Sequence, residues 1–586
     1  MKNISAAKLD RREFLKISSL TILGTLTGRS YIEASTPSAD LVLINGKIIT
    51  VDSKDSVAEA VVVKDGKILD VGNREMALQY VGSSTKVVDL KGKTVTPGLI
   101  DSHAHLPSFG LRENGWFVKL QGIESKDEIL EMLADRARKT PQEGWISAWG
   151  VEAPSLSFLD KDDLDRVTKD SPMLVVHTGG QWGFANSAAL KAAGINQNTP
   201  DPPGSKIGKS PSTGEPTGLL VHYPALHLVR QHMPDPDRRQ SEDALLFAAN
   251  LYAAEGVTTV HDNFFALSEP NFQKAYFELA RSQRMPLRIK IWPYIANDRI
   301  ASWLVNELFG SGKSEGVALA FYKRRYSKLF DSLWGGFKMA VDGGGTTSLW
   351  YDNPNALPMH RTEELHSMFE LFHRAGHQVS VHAVGDKAVD LMLDVIEAAH
   401  KRYPRENPRH RIEHALCPRT HSLERIQRLG VVISTHPQWF FSWGDGMRFQ
   451  RKLEREGQKA MPLKSYLRNG VIVAIGADPP AFPLYQPQLA LWQAVTRTSR
   501  GGYRFDPGES LSIREALRMQ TMGSAYAAFQ EKELGSIEKG KWADMAAWDK
   551  DAYTISQDKI KDMKAEATFV GGKIIYKSKE SELSLE

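Results

Sequence analysis

Val95–His105 reads VTPGLIDSHAH, an apolar run that ends on two histidines one residue apart. On a β-strand, residues i and i+2 point to the same face, about 6.6–7 Å apart along the chain, so His103 and His105 can converge on one cation. Taken alone, His-x-His reads more readily as two surface histidines or one satisfied core histidine. Its weight comes from an ordered set of metal-capable residues further along the chain: Lys338 in Gly335–Gly344 (GGFKMAVDGG), His382 in Val379–Asp386 (VSVHAVGD), His414 in Arg411–His414 (RIEH) and Asp478 in Val471–Pro479 (VIVAIGADP). Each lies at the C-terminal end of a short β-rich segment. Helical periodicity fills the spaces between, over Glu363–Gly376, Asp386–Tyr403, Leu423–Gly430 and Leu463–Gly470. With Gly256–Asp262, Pro286–Ile295 and Val431–Thr435, eight strands can be named. Their alternation with helices predicts an α/β chain folded as a (β/α)8 TIM barrel, whose reactive residues sit where strands end.

At this point the chain resembles the amidohydrolase superfamily, within it the amidohydrolase 3 branch that includes N-substituted formamide deformylases. The carriers are PGLIDSHAH, TGEPTGL at Thr213–Leu219, GVTTVHD, FKMAVDGG, VHAVGDKAV, RIEH, GAD and LGSIEKGKWAD at Leu534–Asp544, and the likeness runs from Asp40 to Lys577. It implies a divalent-metal hydrolase acting on carbon–nitrogen bonds. It further implies His103, His105, Lys338, His382, His414 and Asp478 as metal ligands, with Lys338 carbamylated and bridging two ions. The chain departs from its relatives before Asn186-Ser187, where Gly180-Gln181 replaces their usual Gly-His. A neutral amide thus stands at a position commonly given to substrate contact.

The residues support this chemistry on their own terms. A protonated lysine is repelled by a divalent cation, so Lys338 can be a ligand only when neutral or carbamylated to an oxygen donor. Imidazole nitrogens with carboxylate-type oxygens suit zinc, and iron or manganese also fit. A bound cation lowers the pKa of water from 15.7 to about 7. Asp478 then takes the proton of the attacking water and passes it to the leaving amine. The plainer readings are a salt-bridged lysine at 338 and a helix N-cap at 478.

Further histidines fall near the same strand ends. His261 in VHD and His436 in STHPQW are expected to hydrogen-bond to the ligands rather than bind metal; His177 in LVVHTGG reads as structural as readily as functional. Residues 106–256 form an insertion far longer than a βα loop needs. Its Trp116, Trp145, Trp149 and Trp182 are candidates for a cap over the metal. Trp439, Phe440, Phe441 and Trp443 leave the seventh strand at the catalytic face, and Gln181, Trp439 and His436 are the expected substrate contacts.

The chain has 586 residues, 41% hydrophobic and 25% charged, ordinary globular composition with room for more than a barrel. INGKII at Ile44–Ile49 is echoed by VGGKII at Val570–Ile575, and with Val61–Val71 these read as Gly-containing hairpins. Strands from both ends are expected to share a flanking β-sandwich, giving parts at 40–97 and 511–586 around a barrel at 98–510. Asp10–Lys16 (DRREFLK) and the mildly apolar stretch after it read as a twin-arginine signal over residues 1–39, too short for a stable membrane span. That signal implies recognition by the twin-arginine export machinery and a periplasmic location. The single cysteine, Cys417, requires no oxidising compartment for folding, and a net charge of +4 is no nucleic-acid footprint. The favoured reading is hydrolysis of an amide or formamide bond in a small molecule. Deamination or cyclic-amide opening by the same ligands, dipeptide hydrolysis, and a non-catalytic binding protein are the alternatives.

Overall fold

A computed structural model describes residues 38–141, 143–151, 158–265, 269–310, 318–344, 347–353, 356–443, 459–482 and 484–585. The segment around Arg11 and Arg12 read as an export signal lies outside the described residues, and so does the side chain of Trp443. No described helix is long and apolar enough to cross a membrane.

The segments named from the sequence are strands: Leu99–Ala104, Val257–Phe265, Arg288–Pro293, Phe337–Ala340, Val379–Ala383, Arg411–His414, Val432–Thr435 and Val473–Ile475. Hereafter they are the first to eighth strands. Strands three, two and one pair in parallel in that order, and strands four to eight pair in parallel in sequence. Two seams join these sheets. Between strands three and four, Gly335 N donates to Ile291 O at 3.0 Å and Ile295 N to Lys338 O at 2.9 Å. Beyond strand eight, Asp478 N donates to His103 O at 2.7 Å, and His105 N to Pro479 O at 3.0 Å. The strands are buried almost throughout, as parallel strands covered by helices on the outside are, and several carry polar residues as well. The covering helices fall where periodicity put them, for example Thr362–Arg374, Asp386–Arg402 and Leu463–Arg468.

Both chain ends contribute to two further sheets. One orders its strands as Ser584–Leu585, Lys86–Asp89, Leu41–Ile44, Ala60–Lys64 and Lys67–Gly72; the other as Lys573–Lys577, Ala565–Val570, Met545–Trp548, Thr94–Pro97, Lys47–Ile49 and Val57–Ala58. Ala60–Lys64 and Lys67–Gly72 are a hairpin about Asp65-Gly66, and Ala565–Val570 and Lys573–Lys577 another about Gly571-Gly572. INGKII is not a hairpin. Leu41–Ile44 belongs to the first sheet and Lys47–Ile49 to the second. Asn45, at φ 56, turns the chain between them, and Gly46 N bonds Glu59 O instead of closing a local turn. The physical reason is burial: Leu43 and Ile48 join one core with Val61, Val88, Met545 and Phe569, which draws on both sheets.

Residues 106–256 carry their own six-stranded mixed sheet, from Val118–Lys119 to Pro216–Val221, over a core that includes Leu133, Ile146, Val175 and Phe184. The long helix Arg238–Ala254, with a capping box between Asp237 and Gln240, returns the chain to the second strand.

Candidate metal centre

Two short-range facts make the centre. The first strand delivers His103 to its buried face, and Asp478 leaves the eighth strand at φ 55, a left-handed conformation that Asp tolerates better than most residues. Asp478 Oδ1 then lies 3.0 Å from His105 Nε2 and 3.6 Å from His103 Nε2, and Oδ2 lies 4.0 Å from His414 Nδ1. His103, His105 and Asp478 offer ligand atoms within 4.8 Å of one another, and so do His103, His414 and His436. His382 Nδ1 is 2.7 Å from His414 Nε2. Regular alternation would send His414 to the face opposite Glu413. The chain leaves the strand there at φ 78, and the His414 ring comes to rest 5.0 Å from that of His103.

Lys338 lies inside its strand rather than at its end, 3% exposed, with Nζ lacking a hydrogen-bond partner. Burial pulls its pKa down to about 8, against the pull of Glu413 and Asp478. Burial also drives His103, His382 and His414 well below the usual imidazole range, helped by the neighbouring cationic groups. Neutral imidazole is the form that binds a metal. A cation fits this donor set. Lys338 Nζ, His414 Nδ1 and His436 Nε2 are buried polar atoms that the protein leaves unsatisfied, and such atoms are costly without a partner.

A small cavity of about 30 Å³ opens on these residues. His103, His105, Lys338, His382, His414 and Asp478 all line it, so the six predicted ligands share one site. Among the described residues the rest of the wall is neutral: Gly179, Gln181 and Tyr223 from the insertion, with Tyr294, Ala340 and Ala481. Gln181 reaches the centre, its Nε2 3.2 Å from His382 Nε2 and its Oε1 accepting from Gly344 N. Tyr223 and Tyr294, ring centroids 5.5 Å apart, are wall residues absent from the sequence-based expectation. Each is one tyrosine among sixteen, with no motif to mark it.

Other expectations meet a different geometry. Trp439 is absent from the cavity wall. The short helix Trp439–Trp443 begins immediately after Gln438 and tucks the indole behind the site, stacked at 5.3 Å on both His414 and His436. Phe440 is core, against Phe505 at 4.8 Å. His436 gives Nδ1 to Gly476 O at 3.1 Å and stands beside His103 at 5.0 Å between ring centroids. In the insertion, Trp149 stacks on Phe117, and Trp182 on His177 at 4.2 Å; none of Trp116, Trp145, Trp149 and Trp182 lines the cavity. His177 is likewise absent from the cavity wall, its Nδ1 accepting from Gly179 N at 3.1 Å. His261 Nδ1 is 3.3 Å from Arg411, and reaches His103 only through further hydrogen bonds.

The intermediate link is Glu413, which the sequence marks only as a neighbour of Arg411 and His414. Its Oε2 is 2.6 Å from His103 Nδ1, and Arg411 donates to both carboxylate oxygens at 2.7 and 3.1 Å. Ser380 Oγ donates to Oε1 at 2.8 Å. Desolvation would raise this carboxyl, but Arg411 and Lys338 hold it below its ordinary range, so it stays ionised and keeps the proton of His103 on Nδ1.

Three and five parallel strands joined by two seams, with such a centre at their ends, define a class of metal-binding α/β proteins before any comparison. The family model described as Amidohydrolase family matches residues 86–576, and the chain belongs to that family. Protein LONG AFTER FAR-RED 3 of Arabidopsis thaliana is 32% identical, covering 92% of each chain. N-substituted formamide deformylase of Arthrobacter pascens is 28% identical over 92% of this chain and 98% of its own. Among solved structures, an uncharacterized metal-dependent hydrolase from Pyrococcus furiosus superposes with a TM-score of 0.64 at 26% identity, covering 88% of this chain and 100% of that one. The protein is a metal-dependent hydrolase acting on carbon–nitrogen bonds.

If Glu413 orients His103, Glu413→Gln should weaken metal affinity by about 10–100-fold, the usual cost of losing such a partner. Competition with a chelator measures this directly. Unchanged affinity would remove Glu413 from the site.

Proposed function

We propose that the protein hydrolyses the amide or formamide bond of an uncharged small molecule, with His103, His105, Lys338, His382, His414 and Asp478 holding one or two divalent ions, zinc being the best match. The observation that carries this reading is the meeting of all six side chains on one cavity, with the Lys338 amine buried and unpartnered among them. When bound, the cation makes a coordinated water acidic near neutral pH and polarises the substrate carbonyl.

The residues then have distinct tasks. Asp478 accepts the proton of the water whose oxygen bonds to the carbonyl carbon. As the C–N bond breaks, Asp478 returns that proton to the departing nitrogen, leaving a carboxylic acid and an amine. Lys338, neutral for an appreciable fraction of the time because burial lowers its pKa, adds through Nζ to CO₂ and loses a proton, giving the carbamate expected as an oxygen ligand. Tyr223 and Tyr294 stay protonated, since burial raises both, and so offer neutral donors to a bound substrate. We further read the eight parallel strands as one (β/α)8 barrel and the two end sheets as a flanking β-sandwich. The shared seams and the shared core support both.

Asp478→Asn should lower turnover by about 10²–10⁴-fold while retaining metal, whereas Lys338→Ala should lose both metal and activity, with short carboxylic acids restoring part of each. Elemental analysis with kinetics separates the two roles; near wild-type turnover in the first variant, or unchanged metal in the second, contradicts the corresponding assignment.

Substrate charge follows from the wall. Among the described residues that line the cavity, Lys338 is the only lysine or arginine, and Arg411 is committed to Glu413. A dipeptide carboxylate would lack a cationic clamp. N-benzylformamide should therefore exceed an N-acyl dipeptide in kcat/KM; the reverse order would place the chain among peptidases.

Export is proposed on the sequence alone, from Arg11 and Arg12 ahead of an apolar stretch. Replacing both by lysine should hold the precursor in the cytoplasm, and its appearance in the periplasm would show a different route.

A further inference from the structure

The loop after the eighth strand cannot be held by its own amides alone, because Pro479 and Pro480 have none to donate. It is held by its carbonyls. Asp478 O accepts from Ala481 N at 3.0 Å, and Pro479 O accepts from His105 N at 3.0 Å. The next three carbonyls are taken by side chains that lie some three hundred residues or more earlier in the chain. Arg112 Nη1 donates to Pro480 O at 2.9 Å and to Phe482 O at 3.3 Å. Gln121 Nε2 donates to Pro480 O at 2.5 Å, and Thr178 Oγ1 to Ala481 O at 2.8 Å. These three side chains are also bonded to each other. Gln121 Oε1 accepts from Arg112 Nη1 at 2.5 Å, and Gln121 Nε2 reaches Thr178 Oγ1 at 3.3 Å. Arg112 is 1% exposed and Thr178 2%.

This arrangement is more than a buried network. Five consecutive carbonyls, from 478 to 482, are each bonded, and the segment begins with a non-glycine residue at φ 55, which persists only where its surroundings impose it. Asp478 and Ala481 both face the cavity, at the two ends of that turn. We infer that Arg112, Gln121 and Thr178 are positioning residues that set the Asp478 carboxylate against its neighbours, so that these three side chains of the insertion control the geometry of proton transfer from outside the cavity wall. The inference rests on Asp478 being the proton-transfer residue. Its scale comes from the sensitivity of catalysis to placement, where a shift of about 1 Å can cost about 10²-fold.

The test uses the full-length metal-loaded enzyme. Thr178→Val removes one donor at constant shape, Thr178→Ser keeps it, and the half-buried Gln121→Leu removes two donors should the valine variant fold poorly. Hydrogen exchange at the Asp478 and Ala481 amides reads the loop with no substrate present. Exchange there should quicken about 10-fold in Thr178→Val and in Gln121→Leu, and return to the wild-type rate in Thr178→Ser. Turnover of N-benzylformamide should fall about 10-fold in kcat with KM and metal content unchanged, and the loss should vanish when Asp478 is already Asn. Unaltered exchange overturns the inference, as does a kcat loss of the same size in the Asp478→Asn background. Failure of the parent reading looks different: Asp478→Asn alone would then turn over N-benzylformamide like the wild type.

Discussion

A carboxylate with no contact to solvent sits behind the cavity, and the surrounding strands are arranged to keep it charged. Glu413 is 0% exposed, and removing an ion from water costs several kcal/mol even after relaxation. The cost is offset by saturation of its lone pairs: Arg411 twice, Ser380 once and His103 once. Arg411 is itself buried, lying 4.8 Å over the ring of Trp292 and donating to Ser102 O at 2.6 Å. The single Ser380 hydroxyl proton is shared between Glu413 Oε1 and Asn263 Oδ1, and Asn263 Nδ2 donates to Ser102 O. Strands one, two, five and six are thereby tied together by polar bonds inside an apolar surround. Breaking one member would leave the others uncompensated, so the strands share one register or none.

The same desolvation explains the character of the histidines. Three imidazoles crowd next to a lysine where charge is expensive, and all are driven toward the neutral state. Uncompensated lone pairs facing a common space are what a cation replaces. The ionised Glu413 sits behind His103 rather than beside the cavity, whereas Asp478 faces the cavity directly. Structural charge and reactive charge are kept on opposite sides of one imidazole.

How much of this is legible in the sequence depends on how local each signal is. VSVHAVGD announces itself by apolar content and RIEH by its spacing from the neighbouring segments, and the residues at their ends fall into one cavity because the strands are parallel and adjacent. Glu413 is in plain view within RIEH, but its role is not: it lies 310 positions from His103 in the chain, and no periodicity reports that pairing. The aromatic run after the seventh strand misleads for a related reason. Leaving a strand at the reactive face says where Trp439 starts, while the helix that begins there decides that its ring lies behind His414 and His436. INGKII has the composition of a hairpin turn. Only the competing burial of Leu43 and Ile48 between two sheets separates its halves.

Among the described residues, the insertion contributes no charge to the cavity and yet shapes it. Gln181 and Tyr223 bring hydrogen-bonding groups that remain neutral, and Gly179 gives a wall with no side chain. A neutral lining around a cation favours substrates whose polarity is confined to the reacting bond, since an extra charge would be desolvated without a partner. On the proposed function, the parallel strands carry the ions and the proton, and the inserted sheet carries the shape. Contacts between the two include those to backbone carbonyls of the loop bearing Asp478 and that of the Gln181 amide against His382, so a change in the inserted sheet acts on selectivity and on alignment together.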